Sequence, residues 1–168
     1  MRRARGFTLI EVLVVVAIAA TLTALVVLRL GQWRSPDDPE YLLERLAARL
    51  NHQCEQAMFQ ARPRALRLSA AGYDVWQGTA EGWRPLPPDG PNRPQAFPEG
   101  LEVELEMSGY PVELAEVEFD EPADIRPQII CQPLGELTPF RLTLSRDRLR
   151  WRLEGQASGR LDIESPSA

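Results

Sequence analysis

The stretch GFTLIE at Gly6–Glu11 begins a long apolar segment near the amino end of the chain. No charged residue occurs from Val12 to Leu28, and the run from Phe7 to Leu30 contains 24 residues. As a helix this run would extend about 36 Å, which exceeds the roughly 30 Å hydrocarbon core of a bilayer. The sequence therefore predicts a transmembrane helix over residues 7–30.

Three arginines within Met1–Arg5 precede the apolar segment. Basic residues before a membrane span hold that end in the cytoplasm. The rest of the chain is therefore expected to face the periplasm, attached to the inner membrane by a single pass.

The apolar segment has three interpretations. A basic start followed by apolar residues is typical of a cleaved secretory signal, and Ala17–Ala19 offers a cleavage site, but the apolar residues continue to Leu28. A plain signal anchor leaves Glu11 unexplained, since a carboxylate inside an apolar span costs about 2.5–3.5 kcal/mol. The third interpretation is a signal that is cut before the apolar segment. Glu11 favours the third.

Residues Gly6–Val14 resemble the processing site of type IV pilins and type II secretion pseudopilins. The resemblance implies that residues 1–6 are a leader, that a prepilin peptidase cuts between Gly6 and Phe7, and that Phe7 is N-methylated. In a fibre, Glu11 of one subunit would then meet the new terminal amine of its neighbour, so that two charges in an apolar environment neutralise each other.

A second helix is predicted after a break. Proline disfavours helix at the preceding residue, so the helix is expected to be kinked or briefly broken near Pro36. Pro39 would then open a new helical turn with Asp37 or Asp38 as its cap. Residues 40–61 resume helical periodicity, and residues 31–62 are interpreted as a periplasmic continuation of the helix. One apolar face contains Leu42, Leu43, Leu46, Leu50, Cys54, Ala57, Met58 and Ala61.

The periodicity changes to two after Pro63, which predicts strands. Residues 63–168 are therefore expected to form a periplasmic antiparallel β domain, giving an α+β fold with two small sheets behind the long helix. Strands are predicted at 65–68, 73–76, 82–86, 101–107, 116–119, 128–131, 140–144, 148–153 and 161–163. Six prolines and two glycines at 85–100 predict an exposed loop with no strand pairing of its own, and this loop is a candidate contact surface.

Charged residues alternate along two of these strands. Glu102, Glu104 and Glu106 are interpreted as a solvated face, because no neighbouring ligand completes a metal site. A second hypothesis places Arg148, Arg150 and Arg152 across from these glutamates, as opposed pairs each contributing a few tenths of a kcal/mol.

Other residues bear on chemistry. Cys54 lies on the apolar helix face and Cys131 in a predicted core strand, so they can form a disulfide in the periplasm or remain as two buried thiols; both alternatives stay open. His52, the single histidine, is expected to be a solvated helix residue. No nucleophile elbow, zinc spacing or phosphate loop occurs, so no enzyme activity, cofactor or metal is expected. The net charge of −5 argues against a nucleic-acid partner.

The domain resembles the H-type minor pseudopilins of type II secretion, the GspH/FimT-like family of type IV pilin-like proteins. The resemblance rests on the helix end at 60–64, the hairpin at 65–77, the turn at 82–86 and the stretch Ile129–Phe140. It implies a structural protein near the tip of a periplasmic pseudopilus that drives export of folded proteins through the outer membrane. The implied partners are other minor and major pseudopilins and the prepilin peptidase, with secreted substrates or the secretin as further candidates. The alternatives are a minor pilin that primes a type IV pilus, an inner-membrane scaffold that never polymerises and a tethered periplasmic enzyme.

Overall fold

The computed structural model describes residues 9–30, 36–115 and 126–167. It divides the chain into two units, residues 1–35 and residues 36–168. The predicted leader with its cleavage site at Gly6 and Phe7, the first five residues of the segment 31–62, and the strand predicted at 116–119 lie outside the described residues.

The first unit contains one helix, α1, at Leu9–Leu30. The hydroxyls of Thr21 and Thr23 donate to the carbonyls of Ala17 and Ala19 one turn earlier, at 3.0 and 2.8 Å, so these polar groups are satisfied within the helix. In the part of the chain that the structure describes, no helix combines the length and the apolarity needed to cross a membrane.

The second unit begins with helix α2 at Pro39–Gln60. Asp38 is the N-cap, and its carboxylate accepts a hydrogen bond from the backbone N–H of Glu40 at 3.0 Å. Pro39 occupies the first turn, where a missing N–H costs nothing. The C-cap of the helix is Ala61, which follows Gln60 and has a left-handed backbone with a φ of 50°. Both the helix start at Pro39 and the cap by Asp38 are confirmed.

The strands form two antiparallel sheets, which confirms the α+β fold with two small sheets. The first sheet has the order β3-β2-β1-β7, with the short β4 also paired to β2, and the second has the order β10-β9-β8-β5-β6. The bounds are β1 Arg64–Ser69, β2 Gly72–Thr79, β3 Gly82–Pro85, β4 Gln95–Ala96, β5 Glu102–Met107, β6 Tyr110–Val112, β7 Ile129–Cys131, β8 Phe140–Arg146, β9 Leu149–Gly155 and β10 Leu161–Ser167.

The two sheets and α2 share one hydrophobic core. The apolar face of α2 supplies Leu43, Leu46 and Leu50, each at most 1% exposed. These side chains pack in one cluster with residues from both sheets: Leu66, Leu68, Ile129, Leu105, Leu142, Leu144 and Leu153. Helix α2 therefore belongs to the same compact unit as the β domain.

Two sequence-based expectations are wrong. The region 85–100 does pair, because Gln95 and Ala96 form β4 opposite Tyr73 and Gly72 of β2. The glutamates of β5 do not lie across from the arginines of β9, because β8 lies between the two strands.

Candidate functional site

The first candidate feature is the surface of helix α1. Glu11 lies in its first turn, and the apolar side chains around it, including those of Leu9 and Ile10, are exposed in the isolated chain. The helix therefore presents an apolar surface with one carboxylate near its amino end, which is suited to packing against other apolar surfaces.

The glutamates of β5 and the histidine of α2 lie on different elements of the second unit. Within residues 9–30, 36–115 and 126–167, no three side chains of the metal-binding types gather into a site. Glu102 and Glu104 are exposed, whereas Glu106 pairs with Arg141. His52 is half-buried on α2 rather than fully solvated.

The two cysteines are brought together. Cys54 on α2 and Cys131 on β7 form a disulfide, with their Cα atoms 5.0 Å apart and a sequence separation of 77. Cys131 is fully buried. The bond therefore links α2 covalently to the edge of the first sheet.

A buried charged cluster on the β1–β2 hairpin was missed by sequence reasoning. Arg67 donates from Nε and Nη2 to the two carboxylate oxygens of Asp74, at 2.9 and 2.6 Å. The indole N–H of Trp76 donates to the same carboxylate at 2.9 Å, and the guanidinium of Arg67 lies 4.8 Å from the Trp76 ring centroid. The signal was present, because a two-residue turn at Ala70–Ala71 places Arg67 directly opposite Asp74.

The proline-rich loop at 85–100 is fastened to α2. Arg49 donates to the carbonyl of Arg93 at 2.6 Å, and Gln53 donates to the side-chain oxygen of Asn92 at 3.1 Å. Gln53 is fully buried, and burial lowers the pKa of Arg49. The loop is therefore a positioned surface held by side chains of the helix.

Arginine and glutamine side chains form a network at the carboxyl end of α2. Arg64 donates to Gln53 at 3.2 Å and to Gln60 at 2.8 Å. Gln77 donates to the same oxygen of Gln60 at 3.3 Å. The network joins α2, β1 and β2 through neutral amide oxygens.

Comparisons with known proteins give matches both to the amino-terminal segment and to most of the chain. Residues 1–27 match the family described as the prokaryotic N-terminal methylation motif. The chain is 34% identical to type II secretion system protein H of Pseudomonas aeruginosa over 86% of this chain and 85% of that protein. It is 29% identical to the protein of the same name from Aeromonas hydrophila, over 87% of this chain and 84% of that one.

A solved structure has the same fold. The crystal structure of the minor pseudopilin EpsH from the type II secretion system of Vibrio cholerae matches with a TM-score of 0.62 and 25% identity, over 80% of this chain and 99% of that one.

Proposed function

The chain belongs to the family of type II secretion system protein H, and from this premise we propose that it acts near the tip of the periplasmic pseudopilus that drives export of folded proteins. It is a minor pseudopilin. The observation that carries the proposal is the 34% identity to a type II secretion protein H over 86% of the chain. The fold shared with the minor pseudopilin EpsH supports it.

The amino-terminal segment supplies the mechanism. Residues 1–6 are a leader, removed by a prepilin peptidase that leaves Phe7 as the methylated first residue. Residues 7–30 anchor the subunit in the inner membrane before assembly, and α2 and the β domain face the periplasm. The match of residues 1–27 to an N-terminal methylation motif supports this order of events.

Glu11 aligns the subunit in the fibre. Removal of the leader exposes a new amine at Phe7, which carries a positive charge when it is protonated. A carboxylate and an ammonium group in an apolar environment are each costly, and a neighbour in the correct register brings the two opposite charges together. The proposed partners are therefore other minor and major pseudopilins. The proposed role of the subunit is structural and not catalytic.

Deletion of the gene in the native host tests this role. We expect exported proteins to accumulate in the periplasm, and expression of the wild-type chain to restore their release. Normal secretion together with loss of surface pili would instead identify a minor pilin that primes a type IV pilus.

A further inference from the structure

A row of polar side chains crosses the first sheet near the end of α2. Arg84 of β3 lies opposite Gln77 of β2, and Gln77 lies opposite Arg64 of β1. Directly opposed residues in an antiparallel sheet project from the same face. Two guanidinium groups therefore lie on one face with a single amide side chain between them.

The positive charges in this row are not matched by carboxylates. Arg64 is only 6% exposed, its hydrogen bonds go to neutral amide oxygens, and its Nε has no partner. Among the described residues, no carboxylate forms an ion pair with Arg64, Arg84 or the nearby Arg62. Elsewhere in the second unit, Arg67, Arg152 and Arg160 each pair with one carboxylate and Arg141 pairs with two. Arginine keeps its proton even when buried, so the row favours an anion nearby.

Two adjoining cavities open beside the row, and Arg84 lines both. The first has a volume of about 620 Å³ and lies between β2 and the proline-rich loop. Its polar lining residues are Asp74, Gln77, Arg84 and Asn92, and its apolar walls include Pro85, Pro88 and Pro94. The second, of about 490 Å³, is lined by Arg62 and Arg84 with one acidic residue, Glu81.

The two cavities together form one cleft, and its walls are held in position before any ligand binds. Arg49 and Gln53 hold the proline-rich loop against α2, so the prolines need no large rearrangement to meet a ligand. Asp74 also lines the first cavity, but its carboxylate accepts both hydrogen bonds from Arg67, which offsets its charge. Arg84 is exposed and remains available to a ligand from solvent.

We propose that this cleft binds an acidic segment of a neighbouring protein in the secretion apparatus. A glutamate or aspartate side chain of the partner pairs with Arg84 beside Gln77. The buried charge of Arg64, on the other side of Gln77, adds to the electrostatic attraction. An adjacent apolar side chain of the partner packs against the prolines. The identity of the neighbour as part of the apparatus rests on the proposed function, whereas the recognition chemistry rests on the cleft.

Peptide binding to the full-length chain in detergent micelles tests the proposal. The probe is a fluorescent peptide of alternating glutamate and phenylalanine, blocked at both ends so that only side chains carry charge. We expect it to bind at least about tenfold more tightly than the matched glutamine–phenylalanine peptide, because only the carboxylate side chains can form a charge-assisted hydrogen bond with Arg84.

Variants localise the binding. Arg84→Gln should weaken binding of the acidic peptide about tenfold, and Arg84→Lys should weaken it less. Arg150→Gln, which removes an exposed arginine of the second sheet, should leave the affinity unchanged. Equal affinity for both peptides, no binding of either, or an equal loss in Arg150→Gln would each overturn the proposal. These outcomes do not depend on whether the gene restores secretion, so the cleft can fail while the proposed function stands.

Discussion

Cys54 and Cys131 connect residues far apart in the chain, and the length of the loop they close determines what the bond contributes. A crosslink between residues with a sequence separation of 77 restricts the unfolded chain strongly, because a long loop loses much entropy on closure. Native disulfides of this kind typically stabilise by about 2–4 kcal/mol. This one also fixes α2 to β7, next to the start of β1 at Arg64.

Replacing Cys54 with serine should lower the free energy of unfolding by about 2–4 kcal/mol, because the unfolded chain regains the freedom that the bond removed. Denaturant titration of the full-length chain in micelles, with and without reductant, measures the loss. Reductant should destabilise the wild-type chain by a similar amount and leave the variant unchanged.

Alkylation followed by mass measurement provides the control for the state of the cysteines. The wild-type chain should accept no alkyl groups without reductant and two after reduction. Cys54→Ser should accept one in either condition. Two groups on the unreduced, unfolded wild-type chain would show free thiols and contradict the bond.

At the scale of elements, the second sheet shows that an alternating pattern predicts a strand but does not predict which strand pairs with it. The alternation along Glu102–Met107 predicted β5 and the direction of its glutamates, because alternation is a local property of a strand. The neighbour of β5 is set by tertiary packing, and β8 occupies that place. Arg141 of β8 consequently lies between Glu106 and Glu154, with contacts of 3.0 and 2.6 Å. Hydrogen bonding to Glu154 is the main cause that raises the pKa of Arg141.

Double-mutant cycles should distinguish the two arrangements. Exchanges at Glu106 and Arg141 should show a coupling of about 0.2–1 kcal/mol, since the pair is largely exposed. The cycle of Glu104→Arg with Arg150→Glu should show none, because a strand separates these residues. A larger coupling for the second pair, measured by denaturant unfolding, would contradict the strand order.

The proline-rich loop depends on one buried side chain of α2. Gln53→Ala removes the donor to Asn92 and the acceptor of Arg64, so we expect a loss of about 1–3 kcal/mol in unfolding free energy. Hydrogen exchange at the backbone amides of residues 89–93 should also accelerate. Gln132→Ala, at an exposed position, is the matched control and should change neither measurement.

Much of the element pattern was predictable, and the exceptions have a physical cause. The second helix, its cap at Asp38 and most strands follow from local periodicity and capping chemistry. Strands β4 and β6 escape prediction because two or three residues carry no periodicity and each lies beside or contains proline. The positions of Cys54 and Cys131 were predictable element by element, but their separation depends on how α2 lies on the first sheet. The row of Arg64, Gln77 and Arg84 was not predictable for the same reason, since it depends on the register of three strands.

At the scale of the whole molecule, the two units carry different tasks. The second unit contains its own hydrophobic core, formed by α2 and both sheets. The first is a helix with exposed apolar side chains and a carboxylate in its first turn. Its apolar surface requires either lipid or the helices of other subunits. Under the proposed function, the transfer from one to the other is the step that processing at Gly6 and the charge of Glu11 serve.

Mass spectrometry of the amino-terminal peptide should show a mature chain that starts at Phe7 and carries one additional methyl group. Glu11→Ala should be processed normally, because the cut lies before the altered residue. Its incorporation into pseudopili should fall roughly a hundredfold, since an unpaired charge in an apolar environment costs about 2.5–3.5 kcal/mol and the neighbouring amine would be left in that state. Glu55→Ala, an exposed change on α2, should assemble normally. Recovery of Glu11→Ala in sheared or cross-linked pseudopili at the wild-type level would show that the subunit is aligned by other contacts. A mature chain that begins at any residue other than Phe7 would refute the processing site itself.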